Sequence, residues 1–195
     1  MGLEGVSRQV ADLISGDVLA RLDELERVWG PVAPSGADPA PKVVFWTMQA
    51  VEQVPVEDYP MVMVMGRNTP RMVRVDAAPE GVSFDVTYAL RVLVLVRGDG
   101  TIETASLRGR LGLAVRECLL ARQSMAGLRL DESSLSESYS DVAYDQANES
   151  TVAGVYLDAH FLAREVLAPR RPGTPMVTRP AVRAVPLAPR SARTG

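Results

Sequence analysis

The residue types that carry most protein chemistry are nearly missing from this chain. Among 195 residues there is one histidine and one cysteine, and aromatics make up 5%. Cys118 has no second cysteine to pair with, so no intramolecular disulfide forms, which fits a reducing compartment. No run of about 18 apolar residues occurs, so no membrane-spanning helix is expected. The opening Met-Gly-Leu-Glu-Gly lacks a basic stretch followed by an apolar one, so no signal peptide is expected. Met1-Gly2 with Ser7 loosely matches a myristoylation start, but the acid at Glu4 and the lack of a second membrane signal speak against it. No spacing of His, Cys, Asp or Glu suggests a metal, so neither metal nor cofactor is expected.

What is present is ordinary globular material, 47% hydrophobic and 23% charged. That excludes a disordered, collagenous or disulfide-stapled protein. The charge is unevenly spread. Residues 169–195 hold six arginines (Arg170, Arg171, Arg179, Arg183, Arg190 and Arg193), no acid and six of the 14 prolines. The net −3 therefore divides into −9 on residues 1–168 and +6 on the tail. The chain reads as one domain over 1–168 and a basic, Pro/Arg-rich extended arm over 169–195. No aromatic residue is interleaved with the tail arginines, so base stacking has no platform. A polyproline-like arm docking on an acidic neighbouring subunit is the expectation.

The hydrophobic spacing predicts a helix over 3–29, with Val6, Val10, Leu13 and Ile14 on one face. Ser15-Gly16-Asp17 interrupts it, and Asp17 could cap a second helix. Residues 30–41 hold four prolines and two glycines and read as a loop. Residues 42–54 fit strand or helix, and the polar Gln49, Glu52 and Gln53 on one side favour helix. Residues 59–65 read as a short buried strand led by Pro60. Residues 66–81 read as a polar loop carrying Arg67, Arg71 and Arg74, with room for a short strand at Met72–Val75. Over 82–97 every even position is apolar, from Val82 to Val96, which predicts a long strand with one buried face. Gly98-Asp99-Gly100 is a turn without the residues of a phosphate or calcium loop.

A helix is predicted over 102–122, its stripe being Leu107, Leu111, Ala114, Cys118 and Ala121. Leu113 and Leu120 lie off that stripe and are candidates for a subunit interface. Gly109 and Gly112 suggest close helix packing. Residues 123–134 read as loop and 135–145 as an exposed or edge strand. Residues 151–167 form the last strand, with Tyr156, Asp158, His160 and Arg164 on one face. Tyr156 and His160 are interface candidates. Asp158 and His160 could form an acid/base pair, but no nucleophile or strained elbow accompanies them. The acids Asp131, Glu132, Glu137 and Asp141 read as a solvated acidic face. The element order predicts an α+β fold: a mostly antiparallel four-stranded sheet, two or three helices packed on one face, and long strands projecting beyond the core.

This order resembles the tail terminator (tail completion) proteins of long-tailed bacteriophages, the siphovirus type. The residues that carry it are the amphipathic helix at 6–29, the strand Tyr59-Pro60-Met61-Val62-Met63-Val64 and the long strand Phe84–Val96. The helix Ala105–Arg122 and the final pair around Tyr139–Tyr144 and Val152–Val166 complete it. The likeness spans about 5–167 and is a pattern without an invariant signature. The insert at 30–55 and the tail depart from the family's minimal pattern. The resemblance implies a structural virion protein without catalytic activity, made in the host cytoplasm. It implies a hexameric homo-oligomeric ring that caps the tail tube protein and meets the head–tail connector or stopper protein at the neck. The genome DNA would pass through its channel without specific binding. Two other readings stay open: another neck or tail-tube component of similar build, and a bacterial small-ligand-binding domain or enzyme using Asp158 and His160.

Overall fold

In a computed structural model, residues 2–30, 41–45, 55–78, 81–122, 124–125, 127–146 and 149–167 are described. Helix α1 spans Leu3–Trp29 without a break. Gly16 sits on its exposed side and Asp17 does not cap a second helix. Instead the Asp17 carboxylate meets the Arg122 guanidinium at 3.0 Å, tying α1 to the end of the second helix. Gly30 ends α1 with a positive φ of 77°, and its N–H donates to the Glu26 carbonyl. Helix α2 spans Thr101–Ala121. Its predicted stripe is buried at Leu107, Leu111, Ala114 and Cys118, whereas Ala121 is exposed at the helix end.

Among the described residues seven strands form one sheet: β1 (Lys42–Phe45), β2 (Met61–Ala78), β3 (Gly81–Gly98), β4 (Ser124–Met125), β5 (Leu128–Tyr139), β6 (Ala143–Asp145) and β7 (Ser150–Leu167). The spatial order is β1-β2-β3-β7-β5-β4, and β6 pairs with β7. Every pairing is antiparallel except β1 with β2. The α+β class and the mostly antiparallel sheet agree with the sequence. The expected four strands do not: three short ones, β1, β4 and β6, extend the four long ones.

Residues 42–45 form a strand rather than the favoured helix, because Val43 and Val44 suit the pleat and pair with Val62 and Met63. The remainder of that ambiguous segment, 46–54, lies outside the described residues. The loop expected over 66–81 is also replaced. β2 runs on to Ala78, paired with β3 through three register shifts between Gly66 and Asp76. Pro70 is tolerated because this length of β2 is an edge. The loop expected over 123–134 is mostly strand, since β5 begins at Leu128.

Both helices pack on one face of the sheet. Val10, Ile14 and Val18 of α1 and Leu111, Ala114 and Val115 of α2 share a core with Val64, Leu90, Val92, Val94, Val155, Leu157 and Phe161. Burying a side chain of this size stabilises by about 1.5–3 kcal/mol. α2 rides close to the sheet at Gly112, where a Cβ would stand 2.8 Å from the Val155 side chain. Gly109 meets no neighbour, so close packing explains only one of the two glycines. Toward the far end of this face Glu165 is buried and accepts a hydrogen bond from the Tyr88 hydroxyl.

Candidate assembly surfaces

Among the described residues neither α1 nor α2 covers the sheet's second face, and its character changes along the strands. At one end Met61, Met63, Leu93 and Leu95 form a separate buried cluster. Gly154 stands opposite Leu95, where a Cβ would come within 3.2 Å of that side chain. Two arginine-on-tyrosine contacts bracket the cluster. Arg97 lies 5.8 Å from the Tyr59 ring centre and Arg91 lies 5.1 Å from that of Tyr156. Each arginine also holds an aspartate: Arg97 meets Asp145 at 3.1 Å, and Arg91 grips Asp158 with two bonds of 2.8 and 2.7 Å. Beyond Asp158 the face turns polar, with Arg164 on Asp85 at 2.9 Å.

This arrangement places the face predicted for β7. Tyr156, Asp158, His160 and Arg164 do share one side, the one turned away from α1 and α2. The structure does not join Asp158 and His160 into a pair. Asp158 is held by Arg91, whose guanidinium keeps its carboxyl below the usual carboxylate range, with Arg67 at 3.9 Å and His160 adding to the effect. The backbone N–H of His160 donates to the Ser134 hydroxyl at 2.7 Å, filling a place in the ladder where β5 loses register. No hydrogen bond joins the imidazole to Asp158 among the described residues. Cys118 is fully buried, and burial above all pushes its thiol up to about 11. A thiol so placed is a poor nucleophile near neutral pH. No group of three possible metal ligands exists among the described residues, and no helix is long and apolar enough to cross a membrane.

Of the two helix candidates, Leu113 and Leu120 both pack partly on the core. Leu120 also lines a groove of about 550 Å³ between the ends of α1 and α2, beside Arg21, Leu25, Val28 and Trp29. Val28 and Trp29 are 70% and 56% exposed, so the groove has an apolar lip. The six tail arginines, Arg170, Arg171, Arg179, Arg183, Arg190 and Arg193, lie outside the described residues.

Of the sheet's two edges, the sequence marks the one at β5, read as an exposed or edge strand over 135–145, and misses the one at β2. β1 pairs with β2 only as far as Val64, and from Arg67 to Asp76 every residue of β2 is exposed. Met72, Val73 and Val75 are among them. On the opposite side β4 pairs only with Leu128 and Arg129, which leaves the outer edge of β5 unpaired from Asp131 to Tyr139 among the described residues. A signal was available: three arginines in a stretch that still holds Met72-Val73 and Val75 is the usual dress of an exposed edge strand. The chain matches no protein-family model and no curated protein.

Proposed function

We propose that this chain is a structural virion protein, a tail terminator whose copies close a ring that caps the tail tube and joins it to the head-proximal neck of a long-tailed phage. The observation that carries this reading is the β2–β3 hairpin. β2 passes the start of α1 at Gly66, where a Cβ would collide with Leu3, and then runs twelve more residues to Ala78. At roughly 3.3 Å per residue that is about 40 Å of strand. An edge strand with exposed Met72, Val73 and Val75 is suited to contact a neighbour rather than to remain in water.

The acidic body supports the reading in a second way. A charge of −9 over 1–168 repels DNA, so a channel lined by such subunits passes a genome without holding it. The +6 arm over 169–195 is complementary to that body and is assigned to docking on a neighbouring copy or neck protein.

Removing the gene from the phage that encodes it tests the proposal directly. Tails of uncontrolled length that fail to join heads are expected, with complementation restoring particles. Normal, joined tails formed without the protein, or images of the particle placing it away from the neck, overturn the reading. Deleting 169–195 is expected to weaken neck assembly while leaving the thermal melt of the body unchanged.

A further inference from the structure

The two long edges of the sheet differ in charge. The free length of β2 carries Arg67, Arg71 and Arg74 against one acid, Asp76, a net +2, and Arg71 and Arg74 make no ion pair among the described residues. The free length of β5 and the chain just beyond it carry Asp131, Glu132, Glu137 and Asp141, of which Glu132 and Asp141 are exposed. Glu137 is engaged inward, by Arg116 at 3.1 Å. Each edge meets like charge if it approaches its own kind, and opposite charge if it approaches the other. Pairing of identical edges is thereby disfavoured and pairing of unlike edges favoured.

Strand direction adds an independent constraint. Across β2, β3, β7 and β5 every neighbour is antiparallel, so β2 and β5 run in opposite directions. A second copy added side by side in the same orientation brings its β2 antiparallel to the first copy's β5. The alternation of the sheet then continues unbroken across the joint. The free lengths are not level. Met72 aligns with Ala163 through Val86, whereas Ser136 aligns with Asp158. The offset is about five residues, or roughly 16 Å of strand. A stagger of this kind is what strands need when they close around an axis.

We propose that copies of this chain join head to tail through their sheet edges, the arginine-bearing outer length of β2 on one copy pairing with the acidic β5 edge of the next. The joint is heterologous and closes on itself only by forming a ring. It deepens the ring reading by naming the surfaces that meet, and it does not depend on where in a particle the ring sits.

Two charge-reversed proteins test it: Arg67→Glu with Arg71→Glu and Arg74→Glu, and Asp131→Arg with Glu132→Arg and Asp141→Arg. The wild type is expected to associate at low salt and to dissociate as salt rises. Each reversed protein alone presents like charge on both edges, and its association, read by sedimentation, is expected to fall at least about tenfold. Mixing the two restores unlike edges at every joint, and alternating copies close a ring of even number such as six. If a triple variant fails to fold, Arg71→Ser and Glu132→Ser read the same effect more mildly. Wild-type protein that stays monomeric at millimolar concentration and low salt, or a reversed protein that associates as the wild type does, overturns the edge pairing. The second result leaves a ring built on other surfaces standing. Particles without the protein at the neck overturn the terminator reading and leave the edge pairing untouched.

Discussion

The inner and outer halves of the β2–β3 hairpin share one ladder and differ in everything around it. In the inner half Met61–Val64 pair with Val92–Leu95, and all eight side chains are buried. In the outer half β2 is exposed from Arg67 to Asp76, although Val86 and Tyr88 opposite it are buried. Backbone hydrogen bonds thus carry a strand well past the layer that covers it, but each adds only about 1 kcal/mol net. Packed side chains supply the rest, and the outer half of β2 has few. Stability resides in the inner half, and the outer half is left free for contact.

Substitutions on the two sides put that contrast at risk. Leu157→Ala, at a fully buried site level with the inner half through Val92 and Val64, is expected to cost about 2–5 kcal/mol in urea unfolding. A loss below about 1 kcal/mol there would place the stability elsewhere. Gly112→Val forces a side chain against Val155 and is expected to cost about 1–3 kcal/mol. Gly109→Ala, three residues away in open space, is expected to gain roughly 0.5–1 kcal/mol by the helix preference for alanine. Equal effects of the two would contradict the close approach at Gly112.

Asp158→Asn sits between the halves and tests the Arg91 clamp. Both side chains are about a third exposed, so solvent screening keeps the expected loss near 1 kcal/mol at neutral pH. Because the folded-state pKa of Asp158 is lowered, its contribution is present above the unfolded value near 3.9 and is lost as pH falls through the folded value beneath it. Wild type and variant are therefore expected to converge in stability only in strong acid. A difference that persists unchanged there would remove the clamp from the account. The smallest effect is expected at Val73→Thr, within about 0.5 kcal/mol of wild type by thermal melt, since the residue is exposed on the outer strand.

What the sequence made legible followed burial. β3 alternates from Val86 to Val92 and β7 from Val155 to Glu165 because one face of each meets the helices, and the predicted ends of both lie within a residue or two of the observed ones. The stripe Leu107, Leu111, Ala114 and Cys118 was read for the same reason. Of the outer half of β2 only a short strand at Met72–Val75 is legible, because exposure on both faces leaves no period and Gly66 and Pro70 mimic a loop. Residues 128–134 hid the start of β5 in a similar way, since Gly127 precedes it and serines crowd its loss of register. Four residues at β1 are too few to separate strand from helix by pattern. Tyr156 and His160 were placed on the correct face, yet the Arg91–Asp158 clamp between them could not be foreseen, as its two members lie 67 residues apart.

One further property follows from the ladder between β3 and β7. Their seventeen paired positions, Val82 to Gly98 against Leu167 to Thr151, contain no register shift. Antiparallel hydrogen bonds lie across the strands. A pull along the strand axis therefore loads all these rungs together, and none can open before its neighbours. β2 is different, because its three irregularities divide its ladder into short runs that yield one after another. The centre of the sheet is in this sense a shear clamp and its β2 edge a tear line. Tension through such a subunit would peel the edge strand long before it parted the middle.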